Sequence, residues 1–362
     1  RDGTELNDLS ATSADHAVST EISSMDGVEI IRGPESLLYG SNTIAGVINL
    51  SPLLSYDDLV DSPLYKLILG HESSNKSNIA YFGTIIPKGN YQFSSAVSTR
   101  EAGDQLSPVG AIENTALSKS DIFTSFAKYN ENGYSILSLE NFEMSYGIPS
   151  SPEGHIDGVD LKMKKLSQKF KYHADISLGI FNTLDIEQGY VDYEHREFEN
   201  NKSYHAVLLS HNINYLKADI SSDILKFGSL YQRKKFIAGG FYWTPNTYED
   251  KFAIYASKKG IILGYNTNYS GRIEHRSIRP RSGETFFSNL DANEVRNRQF
   301  TLVSGGLSFL KEWENLSNYY QILYTSRAPS IEDLFSDGPH LGNYAYEIGD
   351  PNLSQENTLG FE

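Results

Sequence analysis

In the stretch NYQFSSAVST, residues 90–99, two kinds of position alternate. Tyr91, Phe93, Ser95 and Val97 fall on one face, and Gln92, Ser94, Ala96 and Ser98 on the other. A period of two predicts a β-strand with one apolar face and one small, polar face. The theme continues through DIFTSFAKY, GYSILSLEN, TLDIEQGYVDYEH, KFAIYASKK, GIILGYNTNYSGRIEHRS and NYYQILYTS. About fourteen such segments follow Leu64, and no long helical period interrupts them. Some connectors read as tight turns: NENG at 130–133, KKG at 258–260 and KEWEN at 311–315. Others are long and polar, at 100–120, 142–165, 235–250 and 276–296. Short turns alternating with long loops predict an all-β fold, an up-and-down antiparallel barrel of the outer-membrane kind.

Composition sharpens that picture. No run of about 18 apolar residues occurs, so no transmembrane helix is predicted, but a barrel strand needs only about ten alternating residues. The chain holds 24 Tyr and 18 Phe, and Tyr recurs near strand ends, as at Tyr91, Tyr129, Tyr134, Tyr255 and Tyr324. Such placement suits aromatic girdles at two membrane interfaces. A soluble sandwich or propeller is the competing architecture. The segments are long for a sandwich, and no blade-length repeat is present.

Charge and cysteine narrow the chemistry. The formal net charge of −15 argues against a nucleic-acid binder, whose footprint is basic. Cysteine is absent, which removes disulfides, thiolate metal sites and cysteine nucleophiles. No serine–histidine–aspartate spacing or paired-carboxylate site stands out, so no catalytic residues and no cofactor are expected. The sequence starts at Arg1, which predicts a processed or partial chain.

One element breaks the strand series. VEIIRGPESLLYGSNTIAGVINL, residues 28–50, reads as strand, Gly-Pro break, one apolar turn, and strand. Pro34 suits the first position of a helical turn, Glu35 suits its dipole, and Gly40 is expected to close the turn with positive φ. Phosphate-loop and dinucleotide-loop spacings are absent. The run closely resembles the end of the plug domain of TonB-dependent outer-membrane receptors. Arg32, Gly33, Pro34, Tyr39, Gly40, Gly46 and Asn49 carry the likeness. A second stretch, SRAPSIEDLFSDGPHLGNYAYEIGDPNLSQENTLGFE at 326–362, resembles a barrel segment of the same family, with Asp333 where many members have Glu.

The resemblance implies a plug inside a barrel of about twenty-two strands. The expectation is a fragment: the C-terminal part of a plug at 1–52, a linker at 53–63, and about fourteen strands of a partial transmembrane β-barrel at 64–362. It implies the outer membrane of a Gram-negative bacterium, contact with lipid, and energy coupling through the TonB–ExbB–ExbD complex. The segment contacting TonB and the closing barrel strands are not recognised in this chain.

The cargo is read from three stretches. SATSADHAVSTEI, at 10–22, resembles the plug loop of the family's zinc-uptake receptors, which places Asp15 and His16 as metal ligands. His340 and Glu347, in DGPHLGNYAYEIG, are expected to join them from the barrel. SYGIPSSPEGHIDGVDLKMKK, at 145–165, adds Glu153, His155 and Asp157 as loop candidates. Imidazole and carboxylate suit zinc, with three or four ligands around one ion. His195 and His275 lie at predicted strand ends and are expected to be solvated. The resulting expectation is plug-gated uptake of zinc or a small metal complex. The alternatives are an iron–siderophore, haem or cobalamin receptor, and, less favoured, a passive porin-like barrel.

Overall fold

The computed structural model describes residues 5–9, 16–44, 46–52, 57–151, 157–199, 207–240, 244–281, 290, 293–340 and 345–362. Two strands come first, β1 (Met25–Ile31) and β2 (Val47–Pro52), paired antiparallel with Ile31 opposite Val47. Between them Gly33–Leu38 winds as a 3-10 helix. Pro34 opens it without leaving an N–H unpaired. Gly33 adopts φ +72°, a left-handed conformation that costs glycine little. The expectation for Gly40 is corrected. The helix ends at Tyr39 in a right-handed conformation, its N–H on the Ser36 carbonyl. The left-handed residue lies further on, at Gly46 with φ +105°, where a second turn sends the Gly46 N–H to the Thr43 carbonyl.

The long sheet begins with β3 (Leu64–Glu72), β4 (Ser77–Lys88) and β5 (Tyr91–Ala102). A small hairpin, β6 (Gln105–Ser107) and β7 (Gly110–Ile112), follows. Then come β8 (Leu117–Asn130), β9 (Gly133–Ile148), β10 (Val159–Leu178), β11 (Phe181–Glu199) and β12 (Val207–Ser221). The series continues through β13 (Leu225–Gly240), β14 (Thr247–Ile262), β15 (Tyr265–Pro280), β16 (Arg298–Trp313) and β17 (Leu316–Arg327). A short helix α1 (Ile331–Phe335), a hairpin β18 (Asp337–His340) and β19 (Ala345–Ile348), and β20 (Glu356–Phe361) complete the order. Fourteen strands form one antiparallel sheet, β3 to β20, with the two small hairpins outside it.

Two connector readings change. KKG lies inside β14 and β15's ladder, and the turn is Leu263–Gly264, both residues left-handed. The long polar stretches are shorter than expected because strands run into them. β10 has 20 residues and β11 has 19, where about 9–11 cross a bilayer. The surplus projects at the end carrying the long connectors, and His195 and Glu197 sit there on β11.

The side-chain pattern is inside-out relative to a soluble sheet. On β5, Gln92, Ser94, Ala96 and Ser98 are buried, whereas Tyr91, Phe93 and Val97 are exposed. Leu137, Leu139, Phe252, Ile254, Ile273 and Val303 are likewise exposed on outer positions. Large apolar side chains facing out and small polar ones facing in are what a barrel in lipid requires.

The inner face holds the N-terminal residues. Lys165 Nζ donates to Ser19 O at 3.1 Å and to Ser19 Oγ at 2.9 Å. Lys119 Nζ donates to Thr20 O at 3.1 Å and pairs with the Glu21 carboxylate. The 3-10 helix packs on β14–β17, where Ser41 Oγ donates to Glu274 Oε1 at 3.0 Å and Arg272 reaches the Leu37 carbonyl. Ile331, Leu334 and Phe335 of α1 join the buried core with Leu9, Phe142 and Met163.

Candidate metal centre

Three imidazoles meet one carboxylate. The Glu197 Oε1 atom lies 3.3 Å from His195 Nε2, 3.5 Å from His340 Nε2 and 3.7 Å from His16 Nε2. The ligand atoms of His16, His195 and Glu197 all fall within 4.8 Å of one another. The rings of His16 and His195 have centroids 4.3 Å apart, and those of His16 and His340 5.1 Å. All four side chains are buried.

Each group arrives from a different part of the chain. His195 and Glu197 are two apart on β11, so strand periodicity puts both on the inner face. His16 comes from the segment before β1. Its Nδ1 faces the Leu9 carbonyl at 3.0 Å, and the neighbouring Ala17 N–H donates to Tyr146 Oη at 3.0 Å. The same segment is tied again where Ser19 N–H and Oγ both donate to Asp8. His340 closes β18, whose base is held by α1. There the Ser330 hydroxyl accepts the Asp333 N–H and the Asp333 carboxylate accepts the Ser330 N–H. Asp333, the departure from the family pattern, thus serves as the reciprocal cap.

The distances decide what this cluster suits. A good N–H···O bond lies near 2.9 Å, so separations of 3.3–3.7 Å are poor hydrogen bonds. Metal–ligand bonds of about 2.0–2.1 Å in a tetrahedron put ligand atoms about 3.3–3.4 Å apart. The three distances to Glu197 Oε1 are close to that edge length, and His16, His195 and Glu197, whose ligand atoms all lie within 4.8 Å of one another, suit an ion with His340 beside them. Glu197 Oε2 is buried without a hydrogen-bond partner among the described residues, which marks the carboxylate as underused by protein alone. Three imidazoles and a carboxylate match zinc and also suit divalent copper.

The sequence expectations fare unevenly. The rings of His16 and His340 lie 5.1 Å apart. Glu347 lies on the other side of the His340 ring, its Oε1 2.7 Å from Nδ1. Asp15, Glu153 and His155 lie outside the described residues. Asp157 is exposed and does not join the cluster. His195 is the correction: it is fully buried because β11 extends past its expected end and turns residue 195 inward. His275 is exposed, as expected. Glu197 went unremarked in the sequence, although the spacing His195–x–Glu197 on a strand signals two donors on one face. The plug-motif residues stand apart: Gly33 and Pro34 are buried in the 3-10 helix, Tyr39 ends it, and Arg32 is exposed. Gly40 is buried, while Gly46 and Asn49 are half-buried.

Outside the strands, Glu21 shows how the N-terminal segment is held to the sheet. Burial alone raises its carboxyl pKa. The hydrogen bonds from Lys119 and from the Ser23 N–H and hydroxyl outweigh it and hold the pKa below the ordinary value.

Residues 1–47 match the family described as TonB-dependent Receptor Plug Domain. A comparison with curated proteins finds no match. Among solved structures, the copper transporter OprC superposes with a TM-score of 0.75 at 13% identity, covering 94% of this chain and 56% of that one. The FrpB iron transporter from Neisseria meningitidis (F3-3 variant) gives 0.66 at 14% identity, with 85% and 53% covered. A double mutant of the Serratia marcescens hemophore receptor HasR, in complex with its hemophore HasA and heme, gives 0.66 at 12% identity, with 94% and 56% covered. The chain spans a little over half the length of each of these structures. Residues 1–47 are therefore similar to a TonB-dependent receptor plug domain, and the described sheet has the fold of these three structures.

Proposed function

We propose that this chain is the plug-and-barrel portion of an outer-membrane receptor that takes up a divalent transition-metal ion, zinc first, with energy supplied through TonB. The observation that carries the reading is the convergence of His16, His195 and His340 on Glu197 at tetrahedral-edge spacing. One ligand comes from the plug, two from the barrel wall and one from the β18–β19 hairpin. Cargo held in this way is released when the plug moves, because His16 leaves with it. The step is a conformational gate and requires no covalent chemistry.

A bare ion fits this site better than a chelate or haem. The rings stand 4.3 and 5.1 Å apart and all four side chains are buried, which leaves no slot for a macrocycle between them among the described residues. Copper is the second candidate on the same donor set, since the order of divalent affinities favours copper over zinc at nitrogen and oxygen sites. The test is calorimetric titration of purified protein in detergent with zinc, divalent copper, haem and a ferric siderophore. One equivalent of zinc or copper bound by the wild type and lost in Glu197→Ala supports the reading. Binding of haem or the ferric siderophore, with neither metal ion bound, refutes it.

A further inference from the structure

We propose that Glu347 is a positioning residue that fixes which nitrogen of His340 faces the ion; this rests on the metal-receptor reading above. Glu347 lies on β19, opposite Gly338 of β18, and His340 lies opposite Ala345, so the two side chains share a face of the hairpin. The Glu347 Oε1 atom is 2.7 Å from His340 Nδ1, a short, strong contact. With Nδ1–H donating there, the proton is kept off Nε2, whose lone pair faces Glu197 Oε1 at 3.5 Å. A carboxylate behind a ligating imidazole orients the ring and raises its basicity. Glu347 is spent on the back of the ring and is not itself a ligand.

The plug imidazole is arranged by the same logic. His16 Nδ1 faces the Leu9 carbonyl at 3.0 Å, leaving Nε2 toward the cluster. The difference is chemical: a carbonyl sets the tautomer of the plug ligand, whereas a carboxylate also strengthens the hairpin ligand. The hairpin is otherwise anchored away from the ion. Tyr346 Oη donates to Asp337 Oδ1 at 3.0 Å, and Gly349 N–H and Asp350 N–H donate to the Ser336 and Asp333 carbonyls. Those ties place the hairpin, and Glu347 then sets the rotation and tautomer of His340 within it.

The test uses the full-length protein in detergent with zinc alone, by competition against a chromogenic chelator, and with cobalt(II) as a spectroscopic substitute. Variants are Glu347→Ala, Glu347→Gln and His340→Ala. Glu347→Ala is expected to weaken zinc binding about 10- to 100-fold, the usual cost of losing such a partner. Glu347→Gln keeps a carbonyl oxygen for Nδ1–H and recovers most of that loss. The visible bands of four-coordinate cobalt persist in the Gln variant and weaken in the Ala variant. Wild-type affinity in Glu347→Ala, with His340→Ala impaired, overturns the positioning role and leaves the metal reading standing. Equal loss in both Glu347 variants, with cobalt spectra unchanged, also overturns it, because that pattern reports a structural defect. Wild-type zinc affinity in His340→Ala removes the metal reading and this inference with it.

Discussion

His195→Ala is the sharpest test of the proposed site, because the length of β11 is what brings His195 beside Glu197. The structure sets the size of the effect. In the proposed site three imidazoles face one carboxylate, and Glu197 Oε1 is 3.3 Å from His195 Nε2, the shortest of its three imidazole distances. Structural zinc sites with four ligands bind with about 10–16 kcal/mol at neutral pH. Shared equally, each ligand contributes about 2.5–4 kcal/mol, or about 100- to 1,000-fold in affinity. Water taking the vacant position recovers part of this, so the lower end is expected. The matched control is His275→Ala. That residue is exposed on β15, its Nδ1 3.2 Å from Thr301 Oγ1, far from the cluster along the sheet. Zinc affinity is measured by chelator competition for both variants, alongside circular dichroism to confirm retained β-structure. A loss in His195→Ala and none in His275→Ala is the expected outcome. Folded His195→Ala protein with wild-type affinity refutes the assignment of this cluster as a metal site.

Glu197→Gln is expected to lower zinc affinity about 100- to 1,000-fold; wild-type affinity in the variant contradicts this. Glu21→Gln removes a carboxylate whose pKa is depressed, so it weakens plug retention above the ordinary carboxylate range, near pH 4.3, and not well below it, where the wild-type group is itself protonated. Limited proteolysis of residues near the plug as a function of pH measures that difference; a difference that persists unchanged into acid excludes the Glu21–Lys119 contact as its source. Gly46→Ala is expected to cost at least about 1–2 kcal/mol, because φ is +105° and the added Cβ meets the Ile31 carbonyl at 2.7 Å; faster cleavage within β1–β2 reports it, and a wild-type cleavage rate contradicts it. Ser330→Ala removes the reciprocal cap of α1 and costs about 0.5–2 kcal/mol, seen as a lower denaturation midpoint.

Much of the fold is legible in the sequence because the barrel pattern is local. In NYQFSSAVST the alternation alone puts Gln92, Ser94, Ala96 and Ser98 on one face, the face that the structure buries. Turns are less legible. KKG looks like a hairpin tip, yet the tip is Leu263–Gly264, where a leucine in the left-handed region gives no composition signal. The site is half legible. His16 lies in a segment read from its resemblance to a plug loop of zinc-uptake receptors, and His340 lies beside the barrel motif at 326–362. Glu197 is invisible until β11 is known to extend past residue 195, because an inward carboxylate and an outward one read alike. That single boundary also explains the error at His195. A strand ending early would leave 195 and 197 in solvent, whereas a strand of 19 residues turns both toward the plug.

The geometry also bears on how binding and release are opposed in the proposed receptor. Three of the four donors belong to the sheet and its hairpin, and one to the plug. The N-terminal donor is oriented by its own segment, through Leu9 O at 3.0 Å from His16 Nδ1. Asn7, two residues before Leu9, is tied to the barrel by its carbonyl, 2.9 Å from His211 Nε2. Displacing residues 7–9 therefore breaks the contact with the wall and the support of His16 together. By the same division of binding energy, loss of His16 lowers affinity about 100- to 1,000-fold. That is enough to convert tight capture into release without disturbing His195, Glu197 or His340. A site with all four donors on the barrel would bind as well but would offer a moving plug nothing to withdraw.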